Sequence, residues 1–367
     1  MNHTILFILH LPPPVHGAAM VGQYIHDSAL INSTFDARYI NLTTASGMDD
    51  IGRFKLKKIR PFLRLLRQIR HSVKEYRPEL VYVTPNAGGG PFYKDFIVVS
   101  KLKRMGCRLV AHYHNKGVAT RQDRPLDNFL YRRFFKGLKV ILLSERLYPD
   151  MAKYVRREDV LICPNGIPCV APPTVKEASA TPRILFLSNL LVEKGVLVLL
   201  DALKLLKEKG LSFACDLMGG ETPELDAARL DEAVRTRSLQ DVVSYHGKRL
   251  GKEKEAIFGH ANIFVFPTFY QNECFPLVLL EAMAHGLPCI STDEGAISDI
   301  ISDGITGLIT KKRDPADLAE KLEILLQDAA LRERMGAAGR KKYEELFTLE
   351  HFERCFTDSL HAVMDNN

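Results

Sequence analysis

The sequence predicts an α/β protein built from two doubly wound domains that face each other across a cleft. Three observations carry that expectation. Short apolar, β-branched runs alternate with amphipathic helical patterns along nearly the whole chain, which is how βαβ units and parallel sheets read. The alternation stops once, between Pro164 and Pro182, where the chain turns rich in Pro, Ala and Thr with Pro172-Pro173 inside it, the composition of a linker. The chain's 367 residues suffice for two domains of ordinary size.

The elements follow in order. Strand-like runs in the first half are Thr4–His10, Leu80–Thr84, Arg108–His112, Val140–Leu143 and Val160–Cys163. A second series begins at Arg183–Leu187 and continues through Ser212–Leu217, Val242–Tyr245, Ile263–Phe266, Pro288–Ser291 and Gly307–Ile309. Asp314-Pro315 reads as a helix start, an N-cap followed by proline at the first helical position, and the rest to about Val363 reads mostly as helix. The expected boundaries are an N-terminal domain over 1–165, a linker over 166–182 and a second domain over 183–345. A C-terminal helix over 346–367 could return to the first domain. Open α/β sheets bind ligands at the carboxyl ends of their strands, so the site is expected there.

Composition narrows the classes. Apolar residues make up 46% and charged residues 26%, as in a globular protein, and no run approaches the length of a membrane span. The apolar start, Thr4 to Leu11, is too short for a signal peptide and runs into Pro12-Pro13-Pro14. Seven scattered cysteines without a CxxC pair argue for a reducing, cytoplasmic setting and against a disulfide framework or a structural zinc. Neither a metal nor a cofactor is expected, nor a nucleic-acid partner. The net charge of +6 hides an asymmetry: residues 1–170 hold 27 basic and 13 acidic residues, so that half carries +14 and the remainder −8.

Much of that excess lies in residues 53–77, with ten Lys or Arg against one acid, Glu75. Pro61 is placed to start a helix there. Phe62, Leu66, Ile69, Val73 and Tyr76 then form an apolar stripe, while Arg60, Arg64, Arg67, His71 and Lys74 form a basic one. The apolar stripe reads as core. The basic stripe reads either as a solvated face or as a surface for the acceptor or an anionic inner leaflet, which would make the protein peripheral to the membrane.

The most informative stretch is Phe266-Pro267-Thr268-Phe269-Tyr270-Gln271-Asn272-Glu273-Cys274-Phe275-Pro276, continuing to Gly286-Leu287-Pro288. A buried strand ends at Phe266 and a polar loop follows. A helix is expected from about Phe275, with Pro276 in its first turn, Leu277, Leu280 and Met283-Ala284 on its apolar face, and Gly286 as its stop. The backbone N–H groups of Cys274, Phe275 and Leu277 would lie at the positive end of the helix dipole, an anion site suited to a diphosphate. Glu273 precedes the helix. Glu281 interrupts its otherwise apolar run, an unusual place for a carboxylate without a task.

This order of strand, loop, Glu, Phe-Pro, apolar helix, second Glu and Gly-x-Pro resembles the retaining glycosyltransferases of family 4, whose GT-B fold comprises two Rossmann-like domains. The resemblance covers nearly the whole chain and is specific over residues 263–310, including Gly295 and Asp303-Gly304-x-x-Gly307. It implies that Glu273 holds hydroxyls of a donor sugar and Glu281 those of the ribose. Ser188-Asn189 stands where the family has Gly-Arg, which places Asn189 among the expected donor-binding residues and leaves Lys194, in Glu193-Lys194-Gly195, as the cation for the leaving diphosphate. In Pro12-Pro13-Pro14-Val15-His16-Gly17-Ala18, Gly17 stands in the family's glycine-rich loop, with an ordinary βα turn as the alternative. His112-Tyr113-His114-Asn115 ends a strand where the family has a histidine on the transferred sugar, and the register favours His114. Gly219, in Leu217-Met218-Gly219-Gly220, and Lys248, in Tyr245-His246-Gly247-Lys248, end strands where the family holds the base and diphosphate.

The resemblance implies metal-independent transfer of a sugar, with retention, from a nucleotide sugar to a saccharide or lipid-linked acceptor, by front-face attack in which the leaving phosphate takes the proton. The competing readings are a nucleotide-sugar epimerase of similar fold and a non-catalytic binder of nucleotide sugar or membrane. A Rossmann oxidoreductase fits less well, since no GxGxxG follows any strand.

Overall fold

The computed structural model describes residues 3–43, 59–170 and 181–365, and they form two compact α/β units. Unit 1 takes the described residues of 1–166 and 349–367, and unit 2 takes 167–348. Residues 53–58 of the basic segment and 171–180 of the expected linker lie outside the described residues.

Unit 1 is built on a parallel six-stranded sheet of β1 (Thr4–Leu9), β2 (Asp36–Asn41), β3 (Leu80–Val83), β4 (Leu109–His112), β5 (Lys139–Leu142) and β6 (Val160–Ile162), in the order β2-β1-β3-β4-β5-β6. Its strands are nearly continuous apolar runs because helices cover both faces, and every residue of β3 and β4 is buried. Strand β2, absent from the sequence reading, is the exception. It is an edge strand in which only Ile40 is buried, so it carries no apolar run to detect. The helices are α1 (Gly17–Asp27), α2 (Ala29–Thr34), α3 (Ile59–Tyr76), α4 (Gly89–Arg104) and α5 (Pro125–Phe135).

Unit 2 repeats the plan with β7 (Arg183–Leu187), β8 (Ala214–Met218), β9 (Val243–Tyr245), β10 (Ile263–Phe266), β11 (Cys289–Ser291) and β12 (Gly307–Ile309), all parallel, in the order β12-β11-β10-β7-β8-β9. Its helices are α6 (Val196–Glu208), α7 (Ala227–Thr236), α8 (Gly251–His260), α9 (Leu277–Ala284), α10 (Ile297–Ile300), α11 (Pro315–Gln327) and α12 (Ala329–Leu346). Asp314 caps α11, its carboxylate accepting from Asp317 N at 3.0 Å, with Pro315 in the first turn.

The last helix, α13 (Leu349–Asp365), belongs to unit 1. It buries Phe352, Phe356, Leu360 and Val363, and the Phe356 ring lies 5.2 Å from that of Tyr82 and 6.0 Å from that of His112. Arg108 holds its end by donating to the carbonyls of Val363 and Met364, complementing the negative end of the helix dipole.

In each sheet the strand order reverses beside the first strand, between β1 and β3 in unit 1 and between β7 and β10 in unit 2. Helices leave for opposite faces at such a reversal, opening a crevice at the carboxyl ends of the two strands. In unit 2 Lys194 and Glu273 lie on the segments that follow β7 and β10, and in unit 1 Gly17 opens the helix that follows β1.

Candidate functional site

In unit 2 the turn after β7 and the loop after β10 are locked together. Gly195 adopts φ +89°, and a Cβ there would lie 2.1 Å from Pro267 O. Only glycine lets the short turn of Val192–Lys194 close against the β10 loop and launch α6. Phe269 N donates to Glu193 O at 2.8 Å across the same junction.

That closure presents Lys194 to Glu273. Lys194 Nζ donates to Glu273 Oε2 at 2.6 Å, with the side chains only 15% and 9% exposed. Thr268 Oγ1 lies 3.4 Å from the same carboxylate oxygen, and the ammonium sits 4.5 Å from the centroid of the Tyr270 ring. One of three ammonium hydrogens is thus committed to Glu273. Away from bulk water, a cation and a carboxylate side by side can receive a group that needs both a counter-charge and hydroxyl acceptors.

Helix α9 begins at Leu277, later than expected. Pro276 is its N-cap rather than a first-turn residue, because its ψ of 117° is extended. The apolar face is wider than expected: Leu279, Leu280, Ala282, Met283 and Ala284 are buried and Leu277 is half-buried. Cys274 and Phe275 point their side chains into the core, Phe275 edge-on to Phe347 at 5.7 Å, so only their backbone could meet a ligand. Gly286, at φ +65°, follows the last turn. Glu281 is half-buried on α9, where Lys254 of α8 donates to it at 2.8 Å. Lys254 lies 27 residues from Glu281 in sequence, and no motif marked it.

Two expected donor residues have structural work. Asn189 Oδ1 accepts from Gly220 N at 3.4 Å, tying the β7 turn to the end of β8. Gly219 sits at φ +154°, and a Cβ there would fall 1.7 Å from Ser188 O, so its glycine is required by the fold itself. Lys248 is exposed in the loop after β9.

Unit 1 carries a different set. His112 is fully buried, its Nδ1 2.9 Å from Tyr82 OH, and belongs to the core. His114 lies just past β4, and both its ring nitrogens are buried without a hydrogen-bond partner. Burial, then the nearby His16, holds its pKa down at about 3. Asn115 beside it accepts from Ala87 N at 2.8 Å, fixing the loop after β3. Gly17 opens α1, and a Cβ there would meet nothing within 4 Å. The fold does not require that glycine.

Helix α3 begins at Ile59, two residues before Pro61, which sits in its first turn. Leu65, Ile69 and Ser72 are buried and Phe62, Leu66, Val73 and Tyr76 half-buried, so the packed face includes two residues that the stripe omitted. Arg60, Arg64, Arg67, His71 and Lys74 are all exposed, joined by Arg70. Among the described residues no helix is long and apolar enough to cross a membrane, and no group of three His, Cys, Asp or Glu is arranged to hold a metal ion.

Residues 173–342, just under half of the chain, match the family described as Glycosyl transferases group 1. The chain is 30% identical over 163 residues to the capsular polysaccharide biosynthesis glycosyltransferase CapM of Staphylococcus aureus, covering 44% of this chain and 41% of that one. It is 28% identical over 255 residues to the amylovoran biosynthesis glycosyltransferase AmsK of Erwinia amylovora, covering 67% and 62%. The aligned stretches thus span less than two thirds of either relative. The crystal structure of Anabaena Alr3699/HepE in complex with UDP superposes with a TM-score of 0.74 at 14% identity, covering 98% of this chain and all of that one. The fold is that of GT-B glycosyltransferases, and the sequence matches support a transferase of that fold.

Proposed function

We propose that the protein transfers a sugar, with retention of anomeric configuration, from a nucleoside-diphosphate sugar to a saccharide or lipid-linked acceptor in the assembly of a cell-surface glycan. The observation that carries the reading is the Lys194–Glu273 pair, 2.6 Å apart at the strand-order reversal of unit 2. Lys194 neutralises the diphosphate as it leaves, the moment at which a fixed cation contributes most. Glu273 receives hydroxyls of the donor sugar. Glu281 receives the ribose hydroxyls, exchanging its bond to Lys254 for them, and the start of α9 faces the diphosphate. His114, neutral and unpaired, contacts the transferred sugar. The acceptor hydroxyl attacks from the face the diphosphate leaves, and the departing phosphate oxygen takes its proton.

The relatives' names support the setting, since CapM and AmsK are named for capsular and amylovoran biosynthesis, and the UDP complex of HepE supports a nucleotide ligand. Charge is supplied by Lys194 and α9, so activity is expected to survive EDTA; loss on chelation that a divalent ion restores refutes that part. The exposed basic face of α3 holds the enzyme on the anionic cytoplasmic leaflet, each side chain adding about 1 kcal/mol. The test of the main reading is thermal-shift screening against UDP, GDP, ADP and their sugars. One nucleotide series should raise Tm, by about 2.7 kcal/mol of stabilisation at a hundred times Kd. No response to any of them rejects the reading.

A further inference from the structure

Two histidines outside the set above stand at the strand-order reversal of unit 1. His10 follows β1, and its backbone N donates to Thr84 Oγ1 after β3 at 3.2 Å. His16 is the N-cap of α1. Both are half-buried, with ring centroids 5.9 Å apart. Their hydrogen bonds fix their tautomers. Ala19 N donates to His16 Nδ1 at 3.3 Å, so that nitrogen carries a lone pair and the proton of the neutral ring sits on Nε2. Thr43 Oγ1 lies 3.3 Å from Leu11 O and 3.3 Å from His10 Nδ1. Thr43 has a single hydroxyl hydrogen and Leu11 O can only accept. Both contacts are made at once only if Thr43 donates to Leu11 O and His10 Nδ1–H donates to Thr43. His10 Nε2 is then a bare acceptor and His16 Nε2–H a donor, and among the described residues neither makes a hydrogen bond to the protein.

We propose that these two nitrogens form a hydroxyl clamp for the acceptor saccharide, His16 Nε2–H donating to one sugar hydroxyl and His10 Nε2 accepting from it. A sugar hydroxyl has the chemistry these two nitrogens ask for: it both gives and takes a hydrogen bond and carries no charge. The charged neighbours do not favour an anion: Lys94 donates to Leu42 O at 3.1 Å and lies 3.6 Å from Asp95 Oδ1. The pKa of His10 is held near 3 by burial and by the charges of Lys94, His16 and His114, and burial also lowers that of His16, so both rings stay neutral at working pH. The clamp rests on the transferase reading in assigning the hydroxyl to an acceptor, and it makes His10 and His16 positioning residues rather than bases.

The test is long-range 1H–15N NMR of histidine-labelled protein, free and titrated with the methyl α-glycosides of glucose, galactose, mannose and N-acetylglucosamine and, separately, with inorganic phosphate. The free protein should show His10 as the Nδ1–H and His16 as the Nε2–H tautomer. At least one glycoside should shift both Nε2 resonances, and phosphate should shift neither. His16→Asn keeps an N-cap and His10→Asn keeps a donor for Thr43, so both preserve the fold while removing one arm of the clamp. Each should weaken that glycoside threefold to tenfold, the yield of one neutral hydrogen bond. Identical tautomers, a response to phosphate instead of sugar, silence to all four glycosides, or unaltered affinity in both variants each overturn the clamp. UDP binding, measured on the same samples, is a separate arm whose failure strikes the transferase reading alone.

Discussion

The two strand-order reversals occupy the same place in their sheets and hold opposite chemistry. In unit 2 the crevice residues are ionic, Lys194 against Glu273 and Lys254 against Glu281. In unit 1 His10 and His16 stand there and His114 just past β4, one strand over, all with protonation disfavoured by burial. Overall charge runs the other way: residues 1–170 carry the excess of basic residues and the rest of the chain the excess of acids. The positive surplus of unit 1 sits in part on the exposed face of α3. Net charge of a domain therefore says little about the charge at its site. The site follows from which few residues the topology brings to the end of the first strand.

The contrast breaks most directly at Lys194. Lys194→Ala should lower kcat by about 10²–10³-fold, as loss of a preorganised counter-charge does. It should also cost about 3–5 kcal/mol of stability, because Glu273 is left buried without its cation. Losing Glu273 as well should return part of that stability without restoring activity, read from melting curves and turnover together.

Glycine positions sharpen the comparison. Gly219→Ala forces a Cβ against Ser188 O and should destabilise unit 2 by roughly 3 kcal/mol. Gly17→Ala meets only open space and should leave the melting curve within about 0.5 kcal/mol of wild type. If Gly17→Ala nonetheless impairs turnover, the ligand and not the fold requires that glycine.

Acid should act on unit 1. The pKa values of His10 and His114 lie near 3 in the folded state against about 6.5 in the unfolded chain. A lowered histidine pKa contributes stability that is whole above about pH 6.5. It is lost as pH falls, because the unfolded chain then binds protons that the folded unit refuses. The slope is about 1.4 kcal/mol per pH unit for each histidine. Denaturant melts from pH 7.5 to pH 5 should show it, and His10→Asn with His114→Asn should reduce it, leaving the share of the buried His112; an unchanged slope in the double variant contradicts the assignment. A smaller effect belongs to Glu281→Ala, which should raise the donor KM about tenfold before kcat changes, since the ribose contact proposed for Glu281 would be made both before and during reaction.

Much of this was legible in the sequence because the strands are buried on both faces. Leu80–Thr84 and Ile263–Phe266 read as strands, each on four apolar residues, and β3 ends one residue earlier, at Val83. Strand β2 was not legible, since an edge strand with one buried residue leaves no such trace. Glu281 stood out because a carboxylate in an apolar stretch is costly without a partner, and Glu273 through the order of strand, loop, Glu and Phe-Pro around it. Lys194, the partner of Glu273, was marked by its Glu-Lys-Gly turn, but the partner of Glu281 was not: Lys254 is an ordinary residue of a charged helix until folding brings α8 to α9. His16 was visible within Pro-Val-His-Gly, but its role as cap and its tautomer depend on Ala19 N, a backbone group that no motif encodes. The start of α9 was misjudged because a proline fixes φ and leaves ψ free, and here ψ is extended.

The central claim is that unit 2 separates a sugar from a nucleoside diphosphate at Lys194. The direct measurement is release of nucleoside diphosphate from UDP-, GDP- and ADP-sugars without any acceptor, with wild type and Lys194→Ala side by side. The account predicts slow hydrolysis of one donor series by wild type and at least a hundredfold less by the variant, while the variant still binds that nucleotide. Hydrolysis at equal rates in both proteins, or nucleotide binding without release of diphosphate by wild type under any donor, contradicts it.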